Sequence, residues 1–268
     1  MSLYNLPIST YVIHAKYGYE FHGNRVVKLF DEQNIPFEFV TDGTPESLTP
    51  KIKTKYFRDV FAEKTRPGSL SCSLNHIYAM ERFLESNDNY GLFFEDDPCF
   101  LGSFEKGMTR LFPHIEKLDS SFIISLENTS LTFPSYWQAK KGKLLYEAKR
   151  GRMAGCYLMD RPGVEKTMDF VYEHKCGHLP DWLHNELIEK GILKMYWAHP
   201  PIIEQGSHNG ILSSSISTKA KSNVDEQPVK ESLLKEQASL EIISKNLAEL
   251  KANKVSMKKT DEIVLGAD

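Results

Sequence analysis

Cysteine is scarce: Cys72, Cys99, Cys156 and Cys176 are the only four in 268 residues, and no two form a CxxC pair. Such spacing does not suggest a disulfide framework or a zinc site, and leaves reduced thiols in a cytosolic protein as the expectation. Long apolar runs are missing too. No stretch approaches the ~18 residues needed to cross a bilayer. The opening MSLYNLPISTYVIHAKYGYE lacks the basic start and unbroken apolar stretch of a signal or transit peptide. The expected location is cytoplasmic, at most peripheral at the inner face of a membrane. A basic excess is also absent: 33 Lys and Arg stand against 36 Asp and Glu. No nucleic-acid partner is expected, and an anionic ligand has to be met locally. What is present, 41% hydrophobic and 26% charged residues, is the composition of a globular chain with a core large enough to need no staples.

Along the chain, short β-branched or aromatic runs alternate with helical patterns. TYVIH reads as a strand, NRVVKLFDEQN as a helix presenting Val26, Val27, Leu29 and Phe30, and PFEFVTDG as a strand entering an Asp-Gly turn. A second unit follows, with SLSCSLNHIYAMERFLES a helix started after Pro67-Gly68 and YGLFFEDD a strand. SSFIISLE and AGCYLMD are further strands, RPGVEKTMDFVYEH and LPDWLHNELIEKG further helices, and the polar stretch 128–152 is expected to hold a hairpin or a mobile loop. The alternation predicts an α/β domain over 1–212 with a mainly parallel central sheet. Residues 213–228 read as a linker. Over 229–268, Leu233, Leu240, Ile243, Leu247 and Leu250 form a short coiled-coil-like seam. Three readings stay open for it: a helix packed on its own domain, self-association through 229–252, or a Lys-rich membrane-surface helix.

The chemistry concentrates in YGLFFEDDP, an apolar strand that runs into Glu95, Asp96 and Asp97 and stops at Pro98. Ligands of open α/β sheets sit at the carboxyl ends of strands. A hard cation such as Mn²⁺ or Mg²⁺ takes oxygen ligands. Alternate residues of an extended segment point to the same side, so Glu95 and Asp97 could share an ion while Asp96 faces away. If the alternation fails in the turn, Asp96 joins instead, and a solvated acidic turn would look the same. His76 reads as a half-buried helix residue or a ligand. Asp181, near a helix start, reads as a cap or as an ionised base.

Taken together, PGSLSCSLNHI at 67–77, LFFEDDP, AGCYLMDRPGVEK, LPDWL and PPIIEQGS resemble, in the right order over roughly 10–210, the segments of glycosyltransferase family 25, which contains lipooligosaccharide and procollagen galactosyltransferases. Ser71, Ser73 and Asn75 stand where that family usually has Gly, Ala and Ser, and His14 replaces a small polar residue or Leu. The resemblance implies a GT-A-like, Rossmann-type fold and an inverting, metal-dependent transfer of a hexose. Galactose from UDP-galactose is the implied donor, and a saccharide such as lipooligosaccharide or another surface glycan the acceptor. It implies Mn²⁺ or Mg²⁺ at Glu95 and Asp97, with Asp96 the other candidate ligand. It further implies Asp42 at the nucleoside, His76 and Gln205 lining the cleft, and Asp181 as base with Glu204 second. Two alternatives stand beside it: a metal-dependent phosphohydrolase using 95–97, and a non-catalytic scaffold with a degenerate transferase domain.

Overall fold

The computed structural model describes residues 6–128, 133–207 and 212. The chain opens with β1 (Ile8–Ile13), α1 (Glu20–Glu32) and β2 (Glu38–Val40), the strand, helix, strand order expected. A 3-10 turn at Pro45–Ser47 leads into α2 (Pro50–Tyr56), α3 (Asp59–Lys64), the long α4 (Pro67–Glu85) and β3 (Tyr90–Glu95). There follow β4 (Pro98–Phe100), α5 (Phe104–Ile115), β5 (Phe122–Ser125), β6 (Leu145–Ala148) and β7 (Cys156–Asp160). The domain closes with α6 (Arg161–His174), α7 (Pro180–Glu189), β8 (Lys194–Ala198) and β9 (Ile203–Gln205). The linker expected at 213–228 and the helix expected at 229–268 lie outside the described residues.

Local chemistry explains the starts and stops. Helix α4 begins at Pro67, whose fixed φ suits a first helical position and whose missing N–H costs nothing there. Helix α6 begins because Asp160 accepts from the Gly163 amide at 3.1 Å, while the same carboxylate takes the Ser121 and Phe122 amides at 2.7 and 2.8 Å. Just past the end of α7, Gly191 adopts a φ of +69°, a conformation that favours glycine. Helix α5 contains Gly107 and Pro113, breakers that hide it from pattern reading. It forms because Phe104, Met108, Leu111, Phe112 and Ile115 share one buried face.

Seven strands form one sheet in the order β2-β1-β3-β7-β5-β8-β6. Strands β2, β1, β3, β5 and β8 run one way, with β7 and β6 against them, so the sheet is mixed but mainly parallel in direction. In the described part of the 128–152 stretch, β6 adds to the sheet edge by pairing antiparallel with β8 rather than with a neighbour inside the stretch. Side chains alternate across the sheet. Tyr11, Ile13, Phe93, Tyr157 and Met159 pack against α4 and α6, whereas Val12, Leu92, Phe94 and Leu158 pack against α1 and α5. The domain is therefore α/β, a sheet between two helical layers.

Strand β1 lies between β2 and β3, and the chain leaves it for β2 on one side before returning to β3 on the other. That reversal opens a crevice at the carboxyl ends of β1 and β3, the place where open sheets take ligands.

Candidate active site

The acidic triplet sits at this crevice, and its three carboxylates face three different environments. Glu95 ends β3, with its amide held by the Gly155 carbonyl at 2.9 Å. Gln205 donates from Nε2 to Glu95 Oε2 at 2.7 Å, while Glu95 Oε1 faces Cys72 Sγ at 3.9 Å and His76 Nε2 at 3.5 Å. Asp96 turns the other way, pairing with His14 Nδ1 at 2.5 Å and lying 3.5 Å from His22 Nδ1. Asp97 is buried. Its Oδ2 accepts the Ser207 amide at 2.9 Å, and its Oδ1 has no hydrogen-bond partner among the described residues.

Titration behaviour follows these surroundings. Burial, then the charges of Asp97, Asp96 and Asp181, push the Glu95 carboxyl up to about 8. Burial likewise raises Asp97, against the Ser207 contact. Burial alone would raise Asp96 as well, but the His14 hydrogen bond and the close approach of His22 outweigh it and hold that carboxyl below its ordinary value. Two of the three carboxylates are thus disfavoured as anions where they stand, which is the electrostatic condition a bound cation relieves.

The neighbours of the triplet arrive from distant sequence. Strand β9 pairs antiparallel with β4 and sets Gln205 opposite Pro98, so PPIIEQGS closes over EDDP. Successive strand residues face opposite ways. Gln205 therefore reaches Glu95, whereas Glu204 accepts from Asn128 Nδ2 at 3.3 Å. Gln205 fits because residue 155 is glycine: a Cβ there would stand 2.8 Å from the Gln205 side chain and 2.9 Å from Glu127 Oε2.

A cavity of about 250 Å³ opens beside Glu95 and Asp96, lined by the β1 end from Ile13 to Tyr17, by Thr41 and Gly43, and by Ser71, Cys72 and Asn75 of α4. Asn75, buried, grips the VTDG turn from both sides. It accepts from the Gly43 amide at 2.6 Å and donates to the Gly43 carbonyl at 3.2 Å. Asp42, expected at the nucleoside, is exposed and pairs with Arg82, and Thr41 and Gly43 line the cavity in its place. His76 is buried rather than half-buried. Its Nδ1 meets the Tyr157 hydroxyl at 2.9 Å, and burial pushes its pKa down to about 3.

Asp181 lies in the first turn of α7 but is not its cap, a position held by Leu179 without a side-chain bond. Its charge adds to burial and to the nearer carboxylates in raising both Glu95 and the Cys72 thiol. Glu95, Asp96, Asp97, His76, Gln205 and Asp181 are thereby drawn into one neighbourhood, and Asp42 is not. Pattern reading missed His14 and His22, which orient Asp96, and Ser207, whose contact with Asp97 is through its backbone amide. Tertiary pairing creates these contacts, and no local motif announces them.

An α/β domain with an acidic cluster and a cavity at its topological switch point is the architecture of a ligand-binding enzyme. Residues 23–173 match the model of "Glycosyltransferase family 25 (LPS biosynthesis protein)", more than half of the chain, and the chain belongs to that family. It is 39% identical over 152 residues to a Haemophilus influenzae protein named "Putative glycosyltransferase", covering 54% of this chain and 52% of that one. A 47-residue stretch is 77% identical to a "Nucleoside triphosphate pyrophosphatase" of Pelagibacter ubique, covering 18% of this chain and 24% of that protein. The chain thus spans about half the length of one curated relative and about a quarter of the other. Among solved structures, a glycosyltransferase involved in glycosylation of the major capsid of PBCV-1 aligns over 76% of this chain and 96% of its own, with 11% identity and a TM-score of 0.37. At that distance the likeness carries no argument. Among the described residues no helix is long and apolar enough to cross a membrane.

Proposed function

We propose that this glycosyltransferase is metal-dependent and inverting, and moves a hexose, galactose from UDP-galactose, to a saccharide acceptor such as lipooligosaccharide or another surface glycan. The observation that carries the reading is the buried Asp97 Oδ1, without a hydrogen-bond partner among the described residues and two residues along from Glu95, which with Asp96 lines the cavity at the switch point. In this reading Glu95 and Asp97 hold Mn²⁺ or Mg²⁺. Asp96 has His14 and His22 about its two oxygens and shapes the donor wall. A bound divalent ion supplies Lewis-acid stabilisation of the departing diphosphate.

The chain's own residues supply the rest. The cleft between the VTDG turn and α4 takes the nucleoside, with Asn75 fixing the turn. Gln205 holds Glu95 in register. Asp181, at the positive end of α7, takes the proton of the acceptor hydroxyl as its oxygen attacks the anomeric carbon. The bond from that carbon to the diphosphate oxygen breaks on the opposite face, and the electron pair leaves with the nucleotide. Trp182, 61% exposed beside Asp181, offers an aromatic face to the acceptor sugar. A thermal-shift screen of nucleotide sugars with and without Mn²⁺ tests the reading, since a ligand selective for the folded state raises the melting temperature. UDP-galactose with Mn²⁺ is expected to give the largest shift, and no shift by any donor in either condition refutes the proposal.

A further inference from the structure

We propose that Cys72, His76 and Glu95 form a second three-ligand site, sharing Glu95 with the acidic triplet, for a borderline-soft divalent ion, Zn²⁺ by its chemistry, opening onto the donor cavity. Among the described residues, Sγ of Cys72, a ring nitrogen of His76 and a carboxylate oxygen of Glu95 all lie within 4.8 Å of one another, and Asp97 stands outside the group. The separations to Glu95 Oε1 are 3.9 Å from Sγ and 3.5 Å from Nε2. Ligand atoms 2.0–2.3 Å from a tetrahedral zinc lie roughly 3.3–3.8 Å apart, so little movement closes the shell.

The remaining atoms of these side chains are already committed in the way a metal site requires. His76 Nδ1 is engaged by the Tyr157 hydroxyl at 2.9 Å, which fixes the ring and leaves Nε2 buried without a hydrogen-bond partner among the described residues. Glu95 Oε2 is engaged by Gln205, which leaves Oε1 directed at the other two ligands. Cys72 and His76 are one turn apart on α4 and share a face. Of the four cysteines, Cys72 is the one that is not buried, and with Glu95 it lines the donor cavity, so an ion has an entrance and an open fourth position. Cysteine spacing could not signal this site, because it uses one thiol and a carboxylate from another element.

Thiolate and imidazole select zinc, cobalt or cadmium over the hard cations that an all-oxygen site takes. Glu95 belongs to both ligand sets, so an ion at Cys72 withdraws it from the donor's cation and Zn²⁺ antagonises Mn²⁺-supported donor binding. That consequence rests on the proposed function, whereas the binding itself does not.

The test titrates the full chain, freed of metal with a chelator, with Co²⁺, and follows the near-ultraviolet thiolate-to-cobalt charge-transfer band. One equivalent is expected to develop the band, Cys72→Ser to reduce it to baseline, and Asp97→Asn to leave it at full amplitude. Melting curves of metal-free Cys72→Ser establish that it is folded, and His76→Gln, which keeps a polar side chain, provides a second loss. Absence of the band in the unaltered chain, or its survival in folded Cys72→Ser, overturns the proposal. If the band forms while no nucleotide sugar binds with any metal, the transferase reading fails and this site stands. If Mn²⁺ supports donor binding and no band forms, the reverse holds.

Discussion

At the scale of single residues, Asp97 and Asp181 are separable by their surroundings. Asp97 is buried with one oxygen on the Ser207 amide and the other without a hydrogen-bond partner among the described residues, a poor arrangement for an isolated anion and a suitable one for a cation's ligand. Asp97→Asn keeps the shape and removes the charge, and is expected to abolish the Mn²⁺-dependent thermal shift by the donor while leaving the fold intact. Asp181 sits at a helix start, where the dipole favours the ionised form a base needs. Asp181→Asn is expected to keep the donor shift and to lower turnover by roughly 10²–10⁴-fold, the usual size of a general-base contribution. Single-turnover transfer measured beside donor binding checks both; undiminished turnover in Asp181→Asn removes it as the base.

At the scale of elements, the site depends on how β7 and its preceding loop meet β9. Gly155 donates its amide to Glu127 Oε1 at 3.0 Å, gives its carbonyl to the Glu95 amide, and leaves the space that Gln205 fills. Gly155→Ala would drive a methyl into Gln205 and Glu127, displacing the amide that holds Glu95. The expected result is a loss of about 10–100-fold in Mn²⁺ affinity, the scale of an outer-shell partner. Gln205→Ala should lose a similar amount, and because both act through one contact the double variant should lose little more than either alone. Additive losses would show that Gly155 acts elsewhere.

The same elements show what a sequence carries. Strands such as YGLFF, buried on both faces, and helices opened by Pro67 or capped by Asp160 are legible because the cause is local. The acidic triplet and the matched order of segments around it are legible for the same reason. Helix α5 was hidden by Gly107 and Pro113, and the pairing of exposed Asp42 with Arg82, forty residues on, is a tertiary contact that no local pattern announces. His14 and His22 on Asp96, and the Cys72, His76 and Glu95 group, arise only when the end of β1, α1, α4 and β3 come together.

For the molecule as a whole, the described core lies entirely between Leu6 and Leu212, in two clusters on either face of one sheet. A chain ending at residue 212 is therefore expected to melt within a few degrees of the full chain and to keep donor binding. A drop of ten degrees or more would place part of the stability in 213–268. Acid should undo this domain in a specific way. His184 is buried with its ring edge-on to Tyr157 at 4.6 Å and its Nε2 without a hydrogen-bond partner among the described residues, and burial, together with the charge of His76, pushes its pKa down to about 3 from 6.5. The unfolded chain takes up a proton near pH 6.5 that the folded chain refuses. The stability tied to a neutral His184 is thus fully present above pH 6.5 and is lost as pH falls from there towards about 3. Each such histidine steepens the fall by about 1.4 kcal/mol per pH unit. His184→Gln cannot take up that proton. Urea unfolding of the two chains between pH 6 and pH 4, with a chelator present so that no metal is linked to folding, should give a variant curve shallower by that amount. Parallel curves would mean that the folded protein protonates His184 as readily as the unfolded chain does.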